Sequence, residues 1–558
     1  MNLSLKLNYH LGTTFALGGA ALIWFLGIAG RDLYLLPLLC WLPFAGWRIW
    51  KDKTVFIITW PSQRLINRAF SYGKWALGIF FLLFCLRAVL RYLSFQWNIW
   101  DSGIFSNVIY NMSQGELWWS HYEVHPWADH FTPSIGILAP FYWIHPHFVW
   151  IVLAKILSYT LVPLGFWQVA KNLNQPVERA IALTILVSSA WLLWYKPTVS
   201  SLWYEWQPSC LAPPVIVFCF LWLEKKEWLK FSLGMLFLLG LKEHMGIVPL
   251  GFGCYLVLQR KEQLWIGLVL IVLGLTALFS ITYGLMPFFR GNQPSWSVPA
   301  LDFWGNLPGK AAYSWKLLFP LAFLPLLYFR IGIMAGPAVG VNLIAARETM
   351  RSTSYHYDDV SGTLLILTVL VILSTQDWQK YWKLLKSRTQ QILLLAWIIG
   401  TFLLMPSSIG QELRSAWPTL KHFEIHQELS EVKKQYPLNE GIAVQSSLGV
   451  HFQQREVNYI AGSNQYPCGE KQADRFHQLA LKRQYWLLAK QTNAFMIEDL
   501  EECISSLEEN KNFELINSKL SKNKFFWFEK KISEENYEKI MMLGDKSIKP
   551  HENLIRVY

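Results

Sequence analysis

Charge is what this sequence has least of. Only 16% of its 558 residues are Asp, Glu, Lys or Arg, whereas soluble domains carry about 25%. A chain this long and this poor in charge is not a string of soluble domains. Cysteine is sparse as well, with 7 in all, which excludes a disulfide scaffold. Cys40, Cys85, Cys210, Cys219 and Cys254 lie in or beside apolar stretches, where a thiol acts as a small hydrophobe. Cys468 and Cys503 fall in a polar region, and a bridge between them stays open. No internal repeat or low-complexity stretch is present. The first apolar run, after Lys6, is followed by no A-x-A-like site, so no cleavable leader is expected. The formal charge of +12 is spread over short clusters and builds no basic surface run, so nucleic acid is not expected as a partner.

Apolar residues make up 53% of the chain, including 30 Trp, 23 Tyr and 35 Phe, and Trp and Tyr favour a membrane interface. Runs near Leu11–Ala29, Leu33–Trp47, Trp75–Leu93, Phe148–Ala170, Ala180–Trp194, Leu211–Leu223, Leu229–Leu241, Met245–Leu258, Leu264–Met286, Trp315–Tyr328, Ile331–Ala345, Val360–Leu373 and Ile392–Met405 are candidate spans of a hydrocarbon layer about 30 Å thick. Pro133–His145 reads as a short or re-entrant segment. The expected fold is mainly α: a polytopic transmembrane helical bundle of about 11–14 helices, with a small C-terminal α/β domain.

Basic clusters recur at Arg48–Lys74, at Lys171 and Arg179, at Lys225, Lys226 and Lys230, at Arg260 and Lys261, and at Lys380–Arg388. Placing all of them in the cytoplasm gives a consistent alternation of spans. Segments 94–132, 196–210, 242–244 and 347–359 then face outward, together with everything from about Gln411. Three parts follow: an N-terminal hairpin with a basic cytoplasmic loop (1–74), a transmembrane core (75–410) with the outward loop 94–132, and a soluble extracytoplasmic α/β domain (411–558). Strand-like runs are expected in the last part at Gly441–Ser446, Ala494–Ile497, Phe513–Ile516 and Phe525–Phe528.

Chemistry is expected where polar residues gather on the outward side. The loop 94–132 holds Asp101, Glu116, Glu123 and Asp129 with His121, His125 and His130, groups suited to act as a base, metal ligands or sugar contacts. Glu123, His125 and Asp129 are candidate ligands of a divalent metal, the one cofactor left open. Lys242, Glu243 and His244 interrupt an apolar stretch. Ionisable groups at membrane depth are costly and point to function, and a lysine there suits an anionic lipid phosphate. Tyr355, His356, Tyr357 and the segment Trp203–Pro208 with Glu205 are further candidates for the same cavity.

The order Asp101-Ser102-Gly103-Ile104-Phe105, Gly115, His130-Phe131-Thr132-Pro133 and Leu138-Ala139-Pro140-Phe141-Tyr142 resembles the bacterial membrane family called domain of unknown function 2079. Lys242-Glu243 is similar to its K-E-D step, with His244 replacing an acid, and Tyr355-His356-Tyr357 to its H-Y step. Gly449-Val450-His451-Phe452 with Arg455 and Tyr459 resembles a later P-H-L-x-x-R…Y segment. Gln207-Pro208 departs from an expected His-Pro, and the hairpin before Trp75 looks like an addition. That family is similar in layout to the GT-C membrane glycosyltransferases. The resemblance implies a bacterial cytoplasmic-membrane enzyme that takes a sugar from a polyprenyl-phosphate donor at the outer face, with the bilayer and that lipid as partners. Asp101 would be the base, with His130, Lys242, Glu243, Glu205, Tyr355, His356 and Tyr357 binding substrate. The alternatives are a transporter, or a non-catalytic polytopic protein presenting an outer domain.

Overall fold

The computed structural model describes residues 63–119, 124–173, 177–291, 301–376, 388–435 and 446–452, a short helical piece at 19–26, isolated positions between 37 and 45, and five strand segments. Glu123, Arg455, the runs at Leu33–Trp47 and Ala494–Ile497, and the cluster Lys380–Lys386 lie wholly or largely outside the described residues.

The protein is a polytopic helical membrane fold. Five described helices are long and apolar enough to cross a membrane: Ile66–Leu93, Val149–Leu173, Val177–Trp194, Lys261–Arg290 and Asp358–Thr375. A sixth crossing is formed if Lys196–Trp203 and Pro208–Glu224, which meet at 117°, count as one. Several expected spans are instead short apolar helices, among them Trp228–Leu239, Phe329–Ile344 and Ile392–Leu403. Pro133–Ile144 is likewise short, as its sequence suggested.

Asp358–Thr375 is the central helix, with 89% of its apolar window buried. Its unbroken Leu-Ile-Leu-Thr-Val-Leu-Val-Ile run is apolar on every face, as a helix enclosed by others must be. It packs against Val149–Leu173, Val177–Ser189, Lys196–Trp203 and Ala212–Glu224. Gln63–Leu93 and Lys261–Arg290 sit at the periphery and leave Leu82, Val269 and Phe279 exposed, a pattern that suits lipid rather than water.

Ile247–Gln259 and Leu264–Ser280 show why small residues recur in these helices. A Cβ on Gly246 would stand 2.5 Å from the Gly274 carbonyl oxygen, and one on Gly253 2.6 Å from that of Gly267. The two backbones touch, which only glycine permits.

Three breaks in helical structure set up the site. The five-residue π turn Ile99–Gly103 precedes Ile104–Ser113, with Gly103 N–H donating to Asn98 O at 3.1 Å. Helix Lys196–Trp203 ends because Pro208 lies ahead and the residue before a proline is driven out of helix. Gln207 is extended at φ −136° and ψ 147°, so Tyr204–Gln207 forms a polar link. Glu243–Gly246 is a short 3-10 turn between Trp228–Leu239 and Ile247–Gln259.

The C-terminal region is α/β. Helix Ile409–Ser415 starts with a capping box between Ser408 and Gln411, two orphan donors satisfied reciprocally, and is joined to the bundle by an Arg87–Glu412 ion pair. A five-stranded mixed sheet has the order β2-β1-β3-β5-β4. Here β1 is Ile442–Val444, β2 Val457–Tyr459, β3 Tyr485–Ala489, β4 Phe513–Leu515 and β5 Phe525–Lys530. β1 pairs in parallel with β2 and β3, whereas β5 runs antiparallel to β3 and β4. β2 and β3 are additions to the strands expected from sequence.

Candidate functional site

The three breaks meet. The Gln207 side chain donates through Nε2 to Asp101 Oδ1, and its Oε1 accepts from Lys242 Nζ at 3.1 Å. A neutral amide therefore links the carboxylate of the first loop to the lysine of the third break. Lys242 and Gln207 are buried, whereas Asp101 keeps part of its surface open.

Beside Lys242, the Glu243 carboxylate lies 3.1 Å from His130 Nδ1, and His130 Nε2 lies 3.6 Å from Asp129. His130 is thus held between two acids and belongs to the same cluster. Burial works against charge on Glu243, yet the imidazole next to it and then Lys242 hold its carboxyl down to about 2.

Asp101 behaves oppositely. Burial, and then the nearby Glu205 charge, push its carboxyl up to about 6, with Lys242 opposing. A carboxylate poised near neutrality is matched to taking up a proton. The Tyr204 hydroxyl bonds Asp101, and burial followed by the Asp101 charge drives that phenol far up, so it stays a neutral donor.

Glu205 does something else. It is buried, pairs with Arg91 at 2.7 Å, and accepts from Ser102 Oγ at 2.5 Å and from Asn98 N at 3.4 Å. Ser102 in turn accepts from Trp206 N at 3.1 Å. Glu205 therefore fastens the Asp101 turn to the Tyr204–Gln207 link. Lys155 Nζ donates to the Tyr204 and Glu205 carbonyls at 2.8 and 2.9 Å, taking up two oxygens that the broken helix leaves without helical partners.

Tyr355, His356 and Tyr357 line the same region. The Tyr204 ring is 5.0 Å from His356 and 5.6 Å from Tyr355, and Ser201 donates to the Tyr355 carbonyl at 3.2 Å. Burial, and then Lys242, depress His356 well below the usual histidine range. His125 stands apart, stacked on Phe289 at 4.3 Å. Among the described residues no three His, Cys, Asp or Glu side chains converge to hold a metal ion.

An apolar groove of about 460 Å³ adjoins the polar cluster. It is lined by Phe131, Pro133, Ser134, Leu236, Leu239, Gly240, Ala277, Ile281 and Leu285. Phe131 follows His130 directly and Gly240 is two residues from Lys242, so two lining residues are close chain neighbours of the charged groups. Leu236 is 70% exposed, so this part of the groove wall lies at the surface of the bundle.

Tyr204 and Gln207 lie in the segment Trp203–Pro208 that the sequence marks as a candidate for this cavity, and Ser102 lies in the Asp101 motif, whereas Arg91 and Lys155 are not singled out there. Lys155 had a signal, a charge inside an apolar span.

The fold and this cluster define a polytopic membrane protein with a buried polar centre at one end of its bundle. More particularly, the chain belongs to the family of predicted membrane proteins DUF2079, whose model matches residues 91–503. Among solved structures it is similar to ArnT from Cupriavidus metallidurans, a crystal structure bound to undecaprenyl phosphate. That match has 11% identity and a TM-score of 0.46, over 81% of this chain and 98% of that one. No curated protein sequence matches.

Proposed function

We propose that this protein moves a sugar from a polyprenyl-phosphate donor to an envelope acceptor at the outer face of the bacterial cytoplasmic membrane. The observation that carries this reading is the Asp101–Gln207–Lys242 chain, with an apolar groove lined by Phe131 and Gly240, close in sequence to His130 and Lys242. An isoprenoid tail fits such a groove, and its phosphate then falls beside buried positive charge.

In this reading Asp101 accepts the proton of the acceptor hydroxyl. The hydroxyl oxygen bonds to the anomeric carbon, and the carbon–oxygen bond to the phosphate breaks. The lipid phosphate leaves with the electron pair and is stabilised by Lys242 and His130. Gln207 keeps Lys242 from neutralising Asp101 outright, so base and cation act on opposite sides of the anomeric centre. Glu243 orients His130, and Tyr204, Tyr355, His356 and Tyr357 supply an aromatic and hydrogen-bonding wall for the sugar.

The test is glycolipid and envelope-glycan profiling of a deletion strain carrying the wild type or Asp101→Asn. One glycan should disappear on deletion, return with the wild type and stay absent with Asp101→Asn. Full restoration by Asp101→Asn would favour a non-catalytic polytopic protein or a transporter.

A further inference from the structure

The Asp101 turn has a second neighbour, far along the chain. Segment Ser446–His451 of the C-terminal region packs on Ile99–Gly103. Ile99 is fully buried, and a Cβ built on Gly449 would stand 2.4 Å from the Ile99 Cβ and 2.4 Å from its Cγ1. From the other side, a Cβ on Gly103 would stand 3.2 Å from Ile99 Cγ1 and 3.5 Å from the Gly449 carbonyl carbon. Ile99 is therefore clasped between two glycine backbones, and it lies two residues from Asp101 within one π turn.

The flanks of Gly449 are fixed. Val450 is buried in the main apolar core of the bundle. The His451 ring lies 4.4 Å from Tyr92, 5.0 Å from Phe95 and 5.4 Å from His426. Lys433 stands over the Phe452 ring at 5.2 Å. A segment anchored this way transmits displacement, because packed interiors are stiff. Ordinary carbon contacts lie at about 3.5–4.0 Å, so a single added methyl at Gly449 must push Ile99, and Asp101 with it, by about 1 Å.

We infer that Gly449 is a positioning residue: the C-terminal region, through its bare backbone against Ile99, sets where the Asp101 carboxylate stands. The polar region after the last span is then a working part of the centre rather than a passenger. The bearing of this on catalysis rests on Asp101 being the base, and the test below reads the turn itself without any sugar transfer.

The experiment uses the full-length protein in lipid nanodiscs. Amide exchange is followed in the stretch 97–105, and the Asp101 carboxyl band is followed by infrared titration, assigned by its loss in Asp101→Asn. Gly449→Ala should speed exchange in that stretch about tenfold and shift the Asp101 band, while the global melting transition stays in place. Adding Ile99→Gly to Gly449→Ala removes the colliding atoms and should return the band toward its wild-type position. If Gly449→Ala does not fold, Ile99→Ala alone, which loosens the clasp from the other side, must shift the same band. An unmoved Asp101 band in a folded Gly449→Ala or Ile99→Ala protein overturns the inference. So does a double variant no nearer to wild type than Gly449→Ala.

Discussion

The Lys242 ammonium donates to the Gln207 side-chain carbonyl at 3.1 Å, and the same amide donates to Asp101. A glutamine between the two ionisable groups lets each keep its own role. Gln207→Leu removes both contacts and leaves a buried lysine short of an acceptor. Stability should fall by about 1–3 kcal/mol, read as a lower melting temperature in detergent. Gln207→Glu keeps an acceptor for Lys242 but sets a second carboxylate against Asp101, and should push the Asp101 carboxyl further up.

The second prediction concerns pH. Asp101 is pushed up to about 6, so its basic form accumulates as pH rises through that value. Activity should climb about tenfold per pH unit below 6 and level off above it, and Asp101→Asn should be inactive throughout. The stability sign is the reverse. A carboxyl raised by folding contributes stability below its unfolded value, and that contribution is lost as pH rises through about 6. Asp101→Asn should therefore melt higher than wild type above pH 6, by an amount on the order of 1 kcal/mol since Asp101 is partly open to solvent. Equal melting of the two proteins at pH 5 and pH 8 would refute the burial of this charge.

Much of the membrane fold was legible from sequence, because apolar run length follows directly from the thickness of a bilayer. The helix breaks were less so. Tyr204–Gln207 reads as an ordinary interfacial aromatic stretch, and only the three-dimensional bend turns Glu205 toward Arg91 and Gln207 toward Asp101. Asp101, His130, Lys242 and Glu243 stood out because charge near an apolar run is costly wherever it falls. Gly449 was named only as part of the segment Gly449–Phe452, and nothing there points to its contact with Ile99, some 350 positions away in sequence. The strand Tyr485–Ala489 was missed for a similar reason: its place comes from pairing with Ile442–Val444 and Phe525–Lys530, not from its own pattern.

Acid should loosen the contact between the C-terminal region and the bundle. Burial, and then Lys433, drive His451 well below the usual histidine range. Burial with His145 lowers His147 to about 4, and burial lowers His426 as well. These rings, with Tyr92 and Lys433, face one another across the junction. Depressed histidines contribute stability above their unfolded value near 6.5 and lose it as pH falls toward 4. Exchange in the stretch 446–452 should rise steeply between pH 6 and pH 4 in wild type and less in His451→Phe. Identical profiles would show that His451 takes no part.

Topology is checked by reporter fusions. A fusion after Arg388 should report the cytoplasm, and one after Tyr558 the outside, because the basic clusters all fall on one side of the alternation. The same answer from both sites would break the alternation of basic clusters on which the outer-face placement of Asp101 and Lys242 rests.

The most direct measurement is native mass spectrometry of the protein purified from membranes, comparing wild type, Lys242→Met and Leu236→Trp. Lys242→Met removes the charge proposed to meet the lipid phosphate, and Leu236→Trp fills the groove wall without touching a polar group of the centre. The wild type should carry a polyprenyl-phosphate adduct, with or without its sugar, and each variant should lose it while staying folded. A wild type free of such lipid when supplied with undecaprenyl phosphate, or an adduct retained equally by both variants, would contradict a lipid-phosphate donor bound between the groove and Lys242.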